Sequence, residues 1–544
     1  MFTLLRYACT TLLLSLLVLT ARADEPAPQT LQVLSQQLID ANYKQKTRLA
    51  EQIAAQGDDQ GIVILQALLD SRLYYVKDSQ QLILLNSAGA VTSAQDAFTQ
   101  HALTGLAEDS IKKVGVNNGL RVALRSLISR AQISSKHAAQ RLAAAENLLK
   151  NSDAVDMAFV TDALNQEQDP DVARLLQLVR GLMLLKDADA VARMQGITLL
   201  DAALYPEVRA GLHEFLNSFS VDEQQSRKDE YQLAQTSLRD IEKQVRLNSY
   251  LENLYFGLAL GAVLLLAAIG LAITFGVMGV INMAHGEMIM LGAYTTYVVQ
   301  LLMPEHIGLS LLVAIPAAFL VSGLVGVVIE RTVIRHLYGR PLETLLATFG
   351  ISLILQQAVR SIFGPLNREV TTPDWMAGTF SINPALALTW NRLYIIIFSL
   401  LVLAALALVL KRTLFGLQMR AVTMNRPMAS SMGIKTGWVD ALTFGLGSGI
   451  AGIAGVALSQ LTNVGPNLGQ AYIIDSFMVV VFGGVGNLWG TLVGAMTLGV
   501  ANKVFEPFAG AVLAKILVLV FIILFIQKRP RGLFALKGRA VDNA

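Results

Sequence analysis

The segment Asn282-Met283-Ala284-His285-Gly286-Glu287 sets an amide, an imidazole and a carboxylate between two long apolar runs. Ionisable groups at membrane depth are costly, so they face a cavity or pair with each other. Two readings stay open. In one, a broken helix lines a path with its exposed amides and side chains; in the other, His285 and Glu287 only cap helices at a turn. Gln460, Asn463, Asn467 and Gln470, strung between later apolar segments, are alternative donors and acceptors at a pore mouth. Asp475, Lys503 and Lys515 are candidates for buried pairing. A further polar stretch, Leu414–Trp438, has room for a short helix and carries Arg420, Asn425, Arg426 and Met428 ahead of Gly433.

Bond-making chemistry is not legible in these residues. His101, His137 and His213 stand far apart, and the sequence has no H-E-x-x-H or G-x-S-x-G set. The Gly-Gly-Val-Gly run at Gly483–Gly486 lacks the lysine of a phosphate loop and lies in an apolar span. The single cysteine, Cys9, leaves no disulfide or thiolate-metal framework. No metal site and no cofactor is expected, and the chain is not expected to be an enzyme.

The elements around these groups follow from composition. Of the 544 residues, 53% are hydrophobic and 15% charged, and the mean hydropathy is +0.50. Residues 1–250 hold 25 Lys+Arg and 29 Asp+Glu, while residues 251–544 hold 18 and 11, so water suits the first part and lipid the second. A formal net charge of +3 with scattered basic residues gives no footprint for nucleic acid.

Arg6, the apolar run Thr10–Thr20 and Ala21-Arg22-Ala23 form the regions of a secretory signal peptide over residues 1–23. Residues 24–248 then read as an extracytoplasmic helical domain with few strand signals. Apolar residues recur three and four apart, as at Leu142, Ala145, Leu148 and Leu149. A weak repeat opens helices at Gln140-Arg141, Asp171–Arg174 and Glu207–Arg209, with Pro170 and Pro206 just ahead of two of them. Its spacing resembles the two-helix units of HEAT-type arrays, with an irregular helical domain as the alternative. Asp222–Arg246 reads as a solvated helix leading to the membrane.

Residues 249–544 contain uncharged stretches at Asn253–Ala284, Met288–Pro304, Gly308–Ile329, Thr344–Val359, Leu393–Leu410, Ala441–Ile474 and Ser476–Asn502, and a last apolar segment, Gly510–Gln527, broken only by Lys515. Thirteen of the 18 Lys+Arg here fall in three clusters: Arg331, Arg335 and Arg340; Lys411, Arg412, Arg420, Arg426 and Lys435; Lys528, Arg529, Arg531, Lys537 and Arg539. Positive charge marks the cytoplasmic side. The expected fold class is therefore all-α, with a secreted helical domain followed by a polytopic membrane domain of about nine spans. Its loop 411–437 and its C-terminus are cytoplasmic. Glycines at four-residue spacing, such as Gly486, Gly490 and Gly494, suit close helix approach in lipid.

The block from Phe275 through Met290, FGVMGVINMAHGEMIM, resembles the first motif of permeases of the branched-chain amino acid type of ABC importer. The resemblance continues in order through Arg420–Ile434 (RAVTMNRPMASSMGI), Asp440–Gln460 (DALTFGLGSGIAGIAGVALSQ) and Asp475–Gly490 (DSFMVVVFGGVGNLWG). Within the family, Tyr294–Tyr297, Val464–Gln470, the ending Gln527–Phe534 and the long helical domain ahead of the pore look most like urea permeases. This resemblance implies a second permease subunit, two ABC ATPase subunits and a periplasmic substrate-binding protein. It also implies that the loop carrying Arg420, Asn425, Arg426, Met428 and Gly433 docks into a groove on the ATPase. An apolar side made by Met419, Val422, Met428 and Met432 suits such docking.

The combined expectation is a multi-pass protein of a bacterial inner membrane, bathed in lipid, with its N-terminal domain periplasmic. Its cargo is small and neutral, urea or a short amide, passing Asn282, His285, Glu287, Gln460, Asn463, Asn467 and Gln470 with transient hydrogen bonds. The alternatives are a branched-chain amino acid importer permease and, from another class, a membrane receptor or scaffold with a helical partner-binding domain.

Overall fold

The computed structural model describes residues 30–56, 59–85, 94–103 and 108–534. The expected signal peptide, Cys9, Lys537 and Arg539 lie outside the described residues. The chain divides into two compact units, Met1–Lys243 and Gln244–Ala544.

The first unit opens with α1 (Leu31–Gln37), α2 (Tyr43–Ala55) and α3 (Asp59–Leu69). Asn42 and Gln45 form a reciprocal capping box that starts α2. Four strands follow: β1 (Leu73–Val76), β2 (Leu82–Leu85), β3 (Ala94–Asp96) and β4 (Ile111–Lys113). They form an antiparallel sheet in the order β3-β2-β1-β4, with Leu73 opposite Leu84 and Tyr74 opposite Lys113. This corrects the all-α expectation. Strands of three or four residues are too short to display a two-residue period, and Leu82-Ile83-Leu84-Leu85 reads equally as part of a buried helix.

Beyond the sheet the unit is helical: α4 (Asn118–Gln132), α5 (Ala138–Lys150), α6 (Met157–Gln166), α7 (Pro170–Leu184), α8 (Ala190–Leu200), α9 (Pro206–Asn217) and α10 (Val221–Ser226). Pro170 and Pro206 each sit in a first helical turn, where a missing N–H costs nothing. Asp169 caps α7 by accepting from the N–H groups of Asp171 and Val172. Helix α7 packs against α5, α6 and α8 through Leu175, Leu176, Leu178 and Val179, all buried. The division between units falls within α11 (Lys228–Met278).

In the second unit the apolar part of α11 is followed by α12 (His285–Leu302), α13 (Ile307–Thr332) and α14 (Pro341–Phe363). A hairpin of β5 (Thr379–Asn383) and β6 (Leu386–Thr389) precedes α15 (Trp390–Arg412). Two short helices, α16 (Leu414–Met424) and α17 (Arg426–Ser431), lead into α18 (Thr436–Ser459), α19 (Leu468–Gly483) and α20 (Leu488–Lys528). The centre is a tight packing of α12, α13 and α18. A Cβ on Gly292 would strike the backbone of Gly452, so these two positions set how closely α12 and α18 approach.

Among the described residues, six helices are long and apolar enough to cross a membrane: α11, α13, α14, α15, α18 and α20. Nine spans were expected, and the difference has physical causes. Helix α19 has only 16 residues, fewer than the ~20 that cross hydrocarbon. Helix α12 has 18 but opens with His285 and Glu287. The expected spans at Ser476–Asn502 and Gly510–Gln527 share the 41-residue stretch α20, which breaks at Gly510 with φ 77°. Forty-one helical residues would measure roughly 60 Å, twice a bilayer core.

Candidate functional site

Helix α11 ends at Met278, Gly279 takes φ +66°, and regular helix resumes only at His285. Gly279 is exposed, but the polar side chains that follow it are buried. Asn282, His285 and Glu287 are at most 1% exposed. Asn282 Oδ1 accepts from the Ala284 N–H at 3.0 Å, and His285 Nε2 donates to the Ala267 carbonyl of α11 at 2.8 Å. Glu287 Oε1 accepts from Ser352 Oγ at 3.0 Å. Among the described residues, Asn282 Nδ2, His285 Nδ1 and Glu287 Oε2 have no partner. Ala284, at the start of α12, has no side-chain cap.

The surface facing this break comes from α14, and sequence reasoning missed it. Thr344, Thr348, Ser352 and Gln356 recur every four residues and are buried, with Arg360 next in the series. They form one buried i±4 ridge of hydroxyls and an amide along the helix. Thr348 Oγ1 accepts from the Met283 N–H at 3.1 Å, and Ser352 holds Glu287. Gln356 Nε2 and Arg360 Nη2 both donate to Asn467 Oδ1, at 3.0 and 2.6 Å. From Thr344 to Arg360 the ridge runs about 24 Å along the helix axis. Polar residues at a strict spacing of four inside the uncharged run Thr344–Val359 were the available signal.

The ridge holds Glu287 and Asn467, while Asn282 bonds within the break and His285 turns to the Ala267 carbonyl of α11. It does not bring in the rest of the expected set. Asn463 and Gln470 are exposed. Gln460 is buried at the end of α18, where its carbonyl accepts from Asn391 Nδ2 of α15 at 3.4 Å. Asp475 and Lys515 do pair, at 3.1 Å, whereas Lys503 pairs with Glu506 at 2.6 Å.

The loop between α15 and α18 folds into α16 and α17. Asn425 caps α17 by accepting from the Met428 N–H at 3.0 Å, and Gly433 takes φ +87° where the chain turns toward α18. Arg420 donates to the Leu410 carbonyl. Arg426 forms a bidentate pair with Asp440, whose side chain is only 3% exposed, and its guanidinium lies 3.9 Å from the centre of the Tyr338 ring. Arg331 stacks similarly on Trp438, at 4.1 Å. These aromatic and acidic partners were not foreseen. The expected apolar side of the loop is divided: Met419 and Val422 are buried in the unit's own core, while Met424, Met428 and Met432 are exposed. Arg426 therefore braces the loop from inside, and the methionines form its outward face.

The sequence model of the family described as branched-chain amino acid transport system / permease component matches residues 253–526. The chain is 30% identical over 294 residues to the high-affinity branched-chain amino acid transport system permease protein BraD of Pseudomonas aeruginosa, covering 52% of this chain and 95% of that protein. It is 32% identical over 295 residues to the corresponding permease protein LivH of Salmonella typhimurium, with the same coverage of 52% and 95%. A third similarity, 27% over 205 residues, covers 35% of this chain and 60% of the ribose import permease protein RbsC of Escherichia coli. No solved structure matches. The N-terminal unit lies almost wholly ahead of the matched region. With half of the chain inside the family match and those permeases aligned over nearly their whole length, the chain belongs to the permease family of branched-chain amino acid ABC transporters.

Proposed function

We propose that this chain is the membrane-spanning subunit of an ATP-driven importer for urea or a short amide. It works with a second permease, two ATPase subunits and a periplasmic substrate-binding protein, and the N-terminal unit stands in the periplasm, assisting that protein's docking. The observation that carries the cargo reading is the α14 ridge. Thr344, Thr348, Ser352 and Gln356 are uncharged hydrogen-bonding groups on a helix of membrane-spanning length, beside a helix break with spare amide and imidazole groups. A small neutral solute that only donates and accepts hydrogen bonds suits these four side chains, whereas a zwitterion would call on Glu287, Arg360 and the helix ends at the break instead. The exposed Met424, Met428 and Met432 supply an apolar face for the ATPase groove, a helix-in-groove contact.

Deleting the chain from its host tests the assignment. Uptake of labelled urea at micromolar concentration should be lost while leucine uptake persists. Loss of leucine uptake with urea uptake intact would refute the cargo and favour the branched-chain reading.

A further inference from the structure

Among the described residues only three methionines are exposed, Met424, Met428 and Met432, and all three fall in the connection between α15 and α18. They are 66%, 61% and 77% exposed. Every other described methionine is buried or half-buried, including the nearby Met419, which is 3% exposed. Met424 ends α16 and Met432 caps the end of α17. The Met432 N–H donates to the Met428 carbonyl at 3.0 Å, so these two side chains stand one turn apart on the same side. Leucine would supply much the same apolar volume at each position. What methionine adds is a thioether that an oxidant can reach.

The fold holds these side chains without depending on them. Met419, Val422 and Ala429 fill the core beneath, and Arg426 is fixed to Asp440. A change confined to the three exposed sulfur atoms therefore alters the outward face and leaves α16 and α17 in place. Oxidation is such a change. It converts a flexible apolar side chain into a polar sulfoxide, whose oxygen needs a hydrogen-bond donor wherever a partner surface excludes water.

We propose that Met424, Met428 and Met432 are a site of reversible oxidation by hydroperoxides, and that their sulfoxides release the ATPase subunits. In each step a sulfur lone pair attacks the terminal oxygen of the hydroperoxide and an S–O bond forms. The O–O bond breaks, and the departing oxygen takes the proton of the transferred one and leaves as water or an alcohol. The sulfur loses two electrons and the peroxide gains them. Methionine sulfoxide reductases, one for each epimer, reverse the change. The release rests on the ATPase-docking reading given above, whereas the selective oxidation does not.

To test this, the purified full chain is treated with hydrogen peroxide, freed of it, mapped by peptide mass spectrometry and then mixed with untreated ATPase subunits. Sulfoxide should form at the three exposed positions at least about tenfold faster than at Met419. Capture of the ATPases should fall at least about tenfold, because each covered sulfoxide leaves an acceptor unpaired, and the reductases should restore it. In a chain carrying Met424→Leu, Met428→Leu and Met432→Leu, the ratio of capture after peroxide to capture before should stay near one. Met419 oxidising as fast as the exposed three would overturn the site. Undiminished capture by the oxidised wild type, or equal loss of capture by the leucine variant on treatment, would overturn the release. A wild-type chain that captures no ATPase even before treatment would refute the docking reading and the release with it, while the sulfoxide map still decides the site.

Discussion

In the N-terminal unit, Arg141 donates from Nε and Nη2 to both oxygens of Glu167 at 2.9 Å, and Arg193 grips Glu230 in the same way. The central packing of the membrane unit uses hydroxyls instead: Thr274, Thr296 and Thr443 return their O–H to the backbone carbonyl four residues earlier, and Ser322 reaches across to the Met288 carbonyl. The helices approach differently in degree: in the N-terminal unit α7 meets α8 across Gly181 and Gly196 inside a packing of leucine and valine side chains, whereas in the membrane unit facing glycines recur along α12, α13 and α18. Solvent accounts for the contrast. In water, burying leucine drives packing, and a half-buried bidentate pair keeps one edge hydrated. In lipid, apolar contact gives no preference for helix over acyl chain, so association relies on close backbone approach and on polar groups that carry no charge.

Breaking a glycine contact should therefore have the largest effect in the membrane unit. Gly292→Leu would drive a side chain into the Gly452 backbone, which cannot yield as a rotamer can. We expect a cost of at least about 3 kcal/mol, read as loss of protease-resistant protein in membranes. Gly350→Ala on α14, where an added Cβ meets nothing within 4 Å, should be nearly neutral. Equal damage from both would undo the contrast.

Charge pairing does occur in the second unit, where the chain leaves the spans. Arg426→Ala would strand Asp440, which is 3% exposed, and release the stacking on Tyr338. The expected cost is about 3 kcal/mol, with faster proteolysis within residues 411–437. Met428→Ala, on the exposed face, should leave stability unchanged and reduce copurification of the ATPases.

These positions also show what could be read from the sequence. The split into a charged part and an apolar part, the proline-opened helices and the basic connections depend on composition and local spacing, which a linear sequence displays. The strands at Leu73–Val76 and Leu82–Leu85 escaped because four residues hold no period. The α14 ridge was visible as threonine, serine and glutamine at intervals of four, but only the break at Gly279–Ala284 packed beside it gives the spacing a purpose. Gln460 and Asn467 look alike in sequence, seven residues apart. Gln460 is the C-cap of α18, with its backbone carbonyl accepting from Asn391 of α15, whereas Asn467 stands at the start of α19 and its side chain accepts from Gln356 of α14.

In the N-terminal unit, Glu167→Gln should cost about 2 kcal/mol, because hydrogen bonds to a charged partner are worth more than neutral ones. The Arg141 guanidinium holds the Glu167 carboxyl below the usual carboxylate range. Its stabilisation is thus fully present above about pH 4.3, the unfolded value, and is lost as pH falls through the lower folded value. Hydrogen exchange over α5 to α7 in the full chain should accelerate below that pH in the wild type and much less in Glu167→Gln. An identical pH response in both would place the acid sensitivity elsewhere.

Among the substitutions that break a contact, the smallest effect expected is that of Ser322→Ala. Ser322 is fully buried, and its hydroxyl donates to the Met288 carbonyl of α12 at 3.0 Å. Measured on intuition from hydrocarbon, where an unmade hydrogen bond is expensive, this contact should rank with the Arg141–Glu167 pair. Two features argue against that. The Met288 carbonyl belongs to α12 and keeps its helical role when the serine is lost, so alanine leaves no acceptor stranded. In the unfolded helices within the bilayer, moreover, the serine hydroxyl can return to its own backbone, so the reference state is not deprived. Interhelical hydrogen bonds of this kind average about 0.6 kcal/mol, well below the cost expected for Glu167→Gln. Unfolding of the membrane unit in mixed detergent, followed for the wild type and Ser322→Ala, measures the difference. A loss above about 2 kcal/mol would mean that single hydroxyls hold the membrane helices together as firmly as charged pairs hold those of the N-terminal unit, and the division of labour between glycine contact and polar contact would have to be redrawn.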